Sequence, residues 1–139
     1  MSSSATSSAG IFRPTCIGLI ETEEDAHQLL TACLSGVLRH APRYPRGDEL
    51  QKLIRNGHIF VYADSTTGTG NWDDGKVWEY LRDEDGFRIE RQGSSRDGLH
   101  KRSISIVEKG DTHHIVSYYR LVEGGLPESL TRHFRGSKP

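Results

Sequence analysis

Residues 70–78, with the sequence GNWDDGKVW, place two tryptophans and two adjacent carboxylates in a chain that is only 8% aromatic. Carboxylates can hold a metal ion or act as general bases, whereas in a turn they accept hydrogen bonds from backbone amides. The chain contains no H-x-x-E-H, C-x-x-C or glycine-rich phosphate motif that would complete a site around Asp73 and Asp74. The sequence therefore predicts no catalytic residue, no metal and no cofactor. It favours a turn flanked by Trp72 and Trp78, which pack in the core or at a subdomain interface.

Histidines and cysteines are the other residues that could bind a metal or act as nucleophiles. His113 and His114 are adjacent, and neighbouring strand residues point to opposite faces, so at most one points inward and the pair cannot hold one ion. Cys16 and Cys33 stand in apolar surroundings without the spacing of a zinc site. Buried free thiols are favoured over a disulfide, which indicates a reducing compartment. No G-x-S-x-G motif supports a hydrolase.

The order of the helix and strand signals along the chain predicts a single α+β domain that positions these residues, because the helix signals come early and the strand signals come late. The stretch CIGLI (16–20) predicts a strand, and residues 21–38 predict a helix with Thr22 as N-cap and Gly36 as its stop. A second short helix is predicted after Asp48 as N-cap, ending at Asn56 and Gly57. Further strands are predicted at 58–64, 86–92, 101–108 and 113–122, the last two forming a hairpin.

The ends of the chain carry different signals from its middle. Residues 1–11, rich in Ser and Ala, and residues 136–139 predict disordered tails around a domain at 12–135, with a short helical turn within 126–139. No apolar run approaches the roughly 18 residues needed to cross a bilayer, and no secretion signal precedes the domain. We expect a soluble, intracellular protein with no membrane partner.

Charge is distributed unevenly along the 139 residues, whose net charge is −1. Residues 39–55 contain five basic and two acidic residues, and residues 88–102 contain the same numbers. Residues 64–85, in contrast, contain seven acidic residues and only two basic ones, Lys76 and Arg82. If folding brings the two basic stretches together, they form an anion-binding surface; a solvated mixed surface is the alternative.

Five segments in order, GLIETEEDAHQLLTACLSGVL, LIRNGHIFVYAD, NWDDGKVW, KRSISI and HHIVSYYRL, resemble the WOPR-box domain of fungal transcription regulators. That group includes regulators of morphological switching and of gluconate-transport induction. The resemblance runs from about Cys16 to Phe134. It implies two intertwined α/β halves sharing an antiparallel β-sheet, sequence-specific binding to double-stranded DNA, a nuclear location, no small-molecule substrate and no enzymatic activity.

The resemblance and the basic stretches together predict the DNA contacts. They are Arg39, Arg43, Arg46, Asn71, Lys76, Arg82, Arg96, Lys101 and Arg102. In the family, the segment matching residues 70–75 reads approximately Lys-Arg-Trp-Thr-Asp-Gly, whereas this chain has Gly70 and Asn71 at the basic pair and Asp73 at the threonine. The Asn71 amide can still pair with a base edge. The lost charges favour an alternative, a WOPR-like domain with weakened DNA binding that acts as a protein-interaction module, with other transcription regulators as partners.

Overall fold

The computed structural model of the chain describes residues 12–67, 72–93 and 98–121. Six strands form one antiparallel sheet in the order β1-β2-β6-β5-β4-β3. Their bounds are Cys16–Ile17 (β1), His58–Ala63 (β2), Trp78–Glu84 (β3), Phe87–Gln92 (β4), His100–Glu108 (β5) and Asp111–Tyr119 (β6). The helices are α1 (Glu23–Leu34), a 3-10 helix (Gly47–Glu49), α2 (Leu50–Leu53) and α3 (Asp64–Thr67). The predicted α+β class is confirmed.

Helix α1 begins where the sequence predicts it. The backbone N–H of Asp25 donates to Thr22 Oγ1 (3.1 Å), and the N–H of Thr22 donates to Asp25 Oδ2 (3.2 Å), so the predicted N-cap is confirmed as a capping box. The helix ends at Leu34, before Gly36, whose φ of 87° suits a residue without a Cβ. No described helix has the length and apolar character that a membrane span requires.

Apolar side chains cover both faces of the sheet. One core packs α1 against β2, β4, β5 and β6; it contains Ile20, Leu29, Val61, Phe87, Ile104 and Ile106, among others. The second core, on the opposite face, holds the segment around α2 and residues 72–78; it contains Leu53, Phe60, Tyr62, Trp72, Val116 and Tyr118, among others. The predicted burial of Ile104 and Ile106 is therefore confirmed. Residues 72–78 lie on the second core.

The two halves of the chain are joined by the pairing of β2 with β6. In this pairing Phe60 lies opposite Val116, and Tyr62 lies opposite His114. The predicted hairpin between β5 and β6 is confirmed, with Lys109 and Gly110 in the left-handed region at φ values of 54° and 78°.

Several elements differ from the sequence expectation. Strand β3 was not predicted, since its sequence WEYLRDE is highly charged, and it forms the exposed edge of the sheet. Strand β1 covers only two of the five predicted residues. Asp48 does not cap the second helix; it lies within the 3-10 helix that precedes the four-residue α2. Helix α3 was not predicted. The predicted tail at 1–11 and the helical turn within 126–139 fall outside the described residues.

Candidate nucleic-acid interface

The segment 72–78, hereafter the Trp loop, is organised around the buried carboxylate of Asp74. Trp78 Nε1 donates to Asp74 Oδ1 (2.8 Å), and Tyr118 OH donates to Asp74 Oδ2 (2.7 Å). Trp72 Nε1 donates in turn to Tyr118 OH (2.8 Å). Lys101 Nζ lies 3.2 Å from Asp74 Oδ2 and 4.5 Å from the centre of the Trp78 ring. Both tryptophans are therefore tied to one carboxylate, directly or through a tyrosine.

The electrostatics of this cluster favour the protonated Tyr118 hydroxyl that the hydrogen bond to Asp74 requires. Burial, and then the neighbouring Asp74 carboxylate, raise the pKa of Tyr118 well above its ordinary value, so its hydroxyl stays protonated and donates. The Lys101 ammonium balances the charge of Asp74, whose side chain is only 3% exposed. The Trp loop is thus held by a neutralised internal ion pair.

The turn predicted for the two adjacent aspartates is confirmed. The N–H of Gly75 donates to Asp73 Oδ1 (3.0 Å), and the N–H of Lys76 donates to Asp74 Oδ1 (3.3 Å). Gly75 has a φ of 76°, and a Cβ at this position would overlap Leu50 Cδ1. The glycine therefore allows the Trp loop to rest directly on α2. Trp72 is buried and Trp78 packs against the second core, as the sequence predicted.

A cavity of about 540 Å³ lies beside the Trp loop. Its walls come from α2 and the residues after it, from the Trp loop, and from the chain beyond β4 and β6. Among the described residues, three basic side chains line it: Arg55, Lys76 and Arg120. Of these only Lys76 was among the predicted contacts. Arg55 belongs to the basic stretch 39–55, but no local stretch of sequence indicates that Arg55 and Arg120 line the same cavity.

Lys101 and Arg102 were predicted to contact phosphates, and the structure gives both of them internal partners. Adjacent on β5, they point to opposite faces of the sheet. The Lys101 side chain is 12% exposed and faces Asp74. Arg102 Nη1 donates to the carbonyl oxygens of Ile20 (3.2 Å) and Glu21 (2.8 Å). Contact with DNA remains a prediction for both, and it would require each residue to give up bonds within the domain.

The other described basic residues among the predicted contacts are dispersed. Arg43 forms a two-point ion pair with the buried Glu49 (2.7 and 2.8 Å), which holds the pKa of Glu49 at about 2. Arg82 is exposed on β3 and pairs with Glu84 at 3.0 Å. Arg39 is exposed and lines a second cavity of about 520 Å³. Arg46 is exposed before the 3-10 helix. Asn71 and Arg96 fall outside the described residues.

The adjacent histidines point to opposite faces of β6, as predicted. His113 is buried, and its Nδ1 lies 3.1 Å from Nε2 of His40. His114 bonds Asp64 (2.9 Å) and Ser105 (2.8 Å) on the other face. Within the described residues, no group of three or more His, Cys, Asp or Glu side chains is placed to hold a metal ion.

Both cysteines are free thiols, as predicted, with Cys33 buried and Cys16 partly buried against the first core. Burial raises the pKa of each thiol to about 12. Such thiols stay protonated near neutral pH, and they are poor nucleophiles.

Comparison with known proteins gives related sequences and folds. The Gti1/Pac2 family profile matches residues 15–96. Global transcription regulator sge1 of Gibberella fujikuroi is 43% identical over 70 residues, covering 50% of this chain and 21% of that protein. Gluconate transport inducer 1 of Schizosaccharomyces pombe is 32% identical over 96 residues, covering 69% of this chain and 13% of that protein. The WOPR domain of Wor1 from Candida albicans, solved in complex with a 17-bp double-stranded DNA, superposes with a TM-score of 0.69 at 28% identity over 78% of each chain. The chain thus spans about a fifth of the length of the first of these relatives.

Proposed function

The chain belongs to the Gti1/Pac2 family, and from this we propose that it is a sequence-specific, double-stranded-DNA-binding domain of a fungal transcription regulator. The observation that carries the proposal is the likeness to a WOPR domain bound to DNA, which extends over 78% of both chains. The named relatives are transcription regulators and an inducer of gluconate transport. A nuclear location follows from a role in transcription, and other transcription regulators are the protein partners that we propose.

The geometry of the Trp loop supports a DNA-probing role. Its two indoles and Asp74 fix the backbone of the Trp loop, so Lys76 is held in a defined position. Rigid presentation lowers the entropy lost when a complex forms. The exposed guanidinium of Arg55 and the ammonium of Lys76 border the same cavity, so positive charge is available next to the loop.

Selection from a random duplex library, followed by binding of the selected duplex at several salt concentrations, tests this proposal. We expect an enriched motif whose affinity falls steeply as salt rises, since Lys and Arg release counterions from the phosphates they neutralise. A scrambled duplex of equal length is the control, and its affinity should be lower by roughly a thousandfold or more at physiological salt. If no motif is enriched and no duplex binds even at low salt, the domain is not a DNA reader.

A protein-interaction module is the second candidate function. It is favoured by Gly70 and Asn71 at the positions of a basic pair, and by Lys101, which is engaged with Asp74 rather than exposed. Asn71→Arg distinguishes the two functions, with Asn71→Gln as a matched control that adds no charge. For a DNA reader, the arginine should raise affinity and steepen the salt dependence by about one counterion. A folded Asn71→Arg protein with unchanged DNA affinity would favour the interaction module.

A further inference from the structure

We infer that the cavity lined by Arg55, Lys76 and Arg120 binds a phosphate group of the backbone of bound DNA. This inference rests on the proposed function and adds a defined subsite to it. The three basic residues come from three separate parts of the chain: the segment after α2, the Trp loop, and the end of β6. Their charges meet at one cavity only in the folded domain.

Basic side chains outnumber carboxylates among the described residues that line this cavity. Asp74 is the one carboxylate among the described lining residues, and it is buried. Its oxygens already accept from Trp78 Nε1, from the N–H of Lys76 and from Tyr118 OH, and Lys101 Nζ lies at 3.2 Å. Lys101 neutralises this carboxylate from within the domain, so Asp74 adds little negative charge to the cavity. An anion is therefore the ligand that the charges favour.

Side-chain amides in the wall also favour an anion. Asn56 Oδ1 accepts from the N–H of Arg120 (2.9 Å), and Gln92 Oε1 accepts from the N–H of Leu99 (3.4 Å). Each amide oxygen thus accepts from the backbone, and each NH₂ group supplies two donors and no acceptor. Amide and guanidinium donors are common partners of phosphate oxygens in protein–DNA complexes.

The cavity is both open and fixed in shape. At about 540 Å³ it exceeds a single phosphate ion and leaves room for the sugars on either side of a phosphodiester. One wall is the Trp loop, which Asp74 holds in place, and Gly75 seats that loop on Leu50 of α2. A preformed cavity of this kind positions the duplex without reading its sequence.

Lys76→Gln, Arg55→Gln and the double variant test the subsite, and Lys109→Gln, in the β5–β6 turn, is the matched control. Each single variant should weaken binding to selected and scrambled duplexes by a similar factor and reduce the slope of log affinity against log salt by about one, the double variant by about two. Lys76→Arg should retain the slope, as should the control. Thermal melting checks that every variant is folded.

A second arm separates DNA backbone phosphate from free phosphate. Inorganic phosphate is compared with chloride at equal ionic strength, and the shift in melting temperature is measured for wild type and for the double variant. Variants that lose salt-dependent DNA affinity support the inference. Variants that keep wild-type DNA affinity overturn it, and if phosphate still raises the melting temperature of wild type alone, the ligand is free phosphate. These results differ from failure of the proposed function, in which wild type itself binds no duplex.

Discussion

Replacing Asp74 by Asn changes one charge and almost no volume, so it tests whether the Trp loop depends on this carboxylate. Oδ1 of Asp74 accepts from Trp78 Nε1 and from the N–H of Lys76, and Oδ2 accepts from Tyr118 OH and faces Lys101 Nζ. An asparagine has a single oxygen. Whichever way its amide is turned, the NH₂ group faces two donors, and those donors lose their acceptor.

The expected loss of stability follows from the burial of Lys101 and Tyr118, which lose their partner. Removing one partner of a buried ion pair costs about 3–5 kcal/mol, and a buried hydroxyl without a partner costs about 1–3 kcal/mol. Lys101 also has Glu90 at 3.8 Å, which moderates the loss. We therefore expect Asp74→Asn to lower the free energy of unfolding by about 3 kcal/mol and the melting temperature by about 10 °C. Urea unfolding followed by tryptophan fluorescence measures the first quantity, and calorimetry measures the second.

Two further variants sharpen the test. Asp73→Asn alters the exposed neighbour, whose carboxylate accepts a hydrogen bond from the N–H of Gly75, so it should cost less than about 1 kcal/mol. In a Lys101→Met background, Asp74→Asn should cost less than in wild type, since no buried ammonium is left unpaired; the coupling should exceed about 1 kcal/mol. If Asp74→Asn and Asp73→Asn unfold at the same urea concentration, the Trp loop does not depend on the Asp74 carboxylate.

Four other side chains should respond to pH or to chemical probes. The pKa of Glu49 is lowered from 4.5 to about 2 by its arginine partner, so the stability it confers is complete above pH 4.5 and lost as pH falls toward 2. Glu49→Gln should be less stable at neutral pH and lose less stability than wild type over that range, as urea unfolding at stepped pH will show. Burial, and then His113, lower the pKa of His40 below 6.5; stability present above pH 6.5 should be lost as pH falls below it, and His40→Gln should lose less. Burial raises the pKa of the Cys16 and Cys33 thiols to about 12, so a thiol reagent at pH 8 should modify the native protein far more slowly than the urea-unfolded protein. Equal rates would show that the thiols are accessible.

Local signals accounted for much of the fold. Thr22 and Asp25 form a capping box that depends on residues three apart, and the alternation at Ile104 and Ile106 is visible within one strand. Strand β3 lacks such a signal. It lies at the sheet edge with its side chains largely exposed, so charged residues are tolerated there and no apolar alternation marks it.

The candidate site was less accessible to sequence reasoning, because its bonds join distant residues. Asp74 meets Tyr118 across 44 positions and Lys101 across 27. A basic residue before a strand looks the same whether it faces a phosphate or an internal carboxylate, so Lys101 was predicted as a DNA contact. The turn and the core role of both tryptophans were predicted correctly, because turn chemistry is local and large aromatic rings are usually buried.

The strand order also bears on how the chain folds as it is synthesised. The strands β3, β4, β5 and β6 are neighbours in chain order, so each can add to the one before it. Strand β2 must instead pair with β6, which comes last in the chain among the described strands. Residues 58–63 thus reach their main partner only after residues 111–119 have been made. Until then Phe60 and Trp72 lack Tyr118, and the edge of β2 is open to pairing with other chains. We expect the β3–β6 meander to form first and closure of the long β2–β6 loop to limit the folding rate.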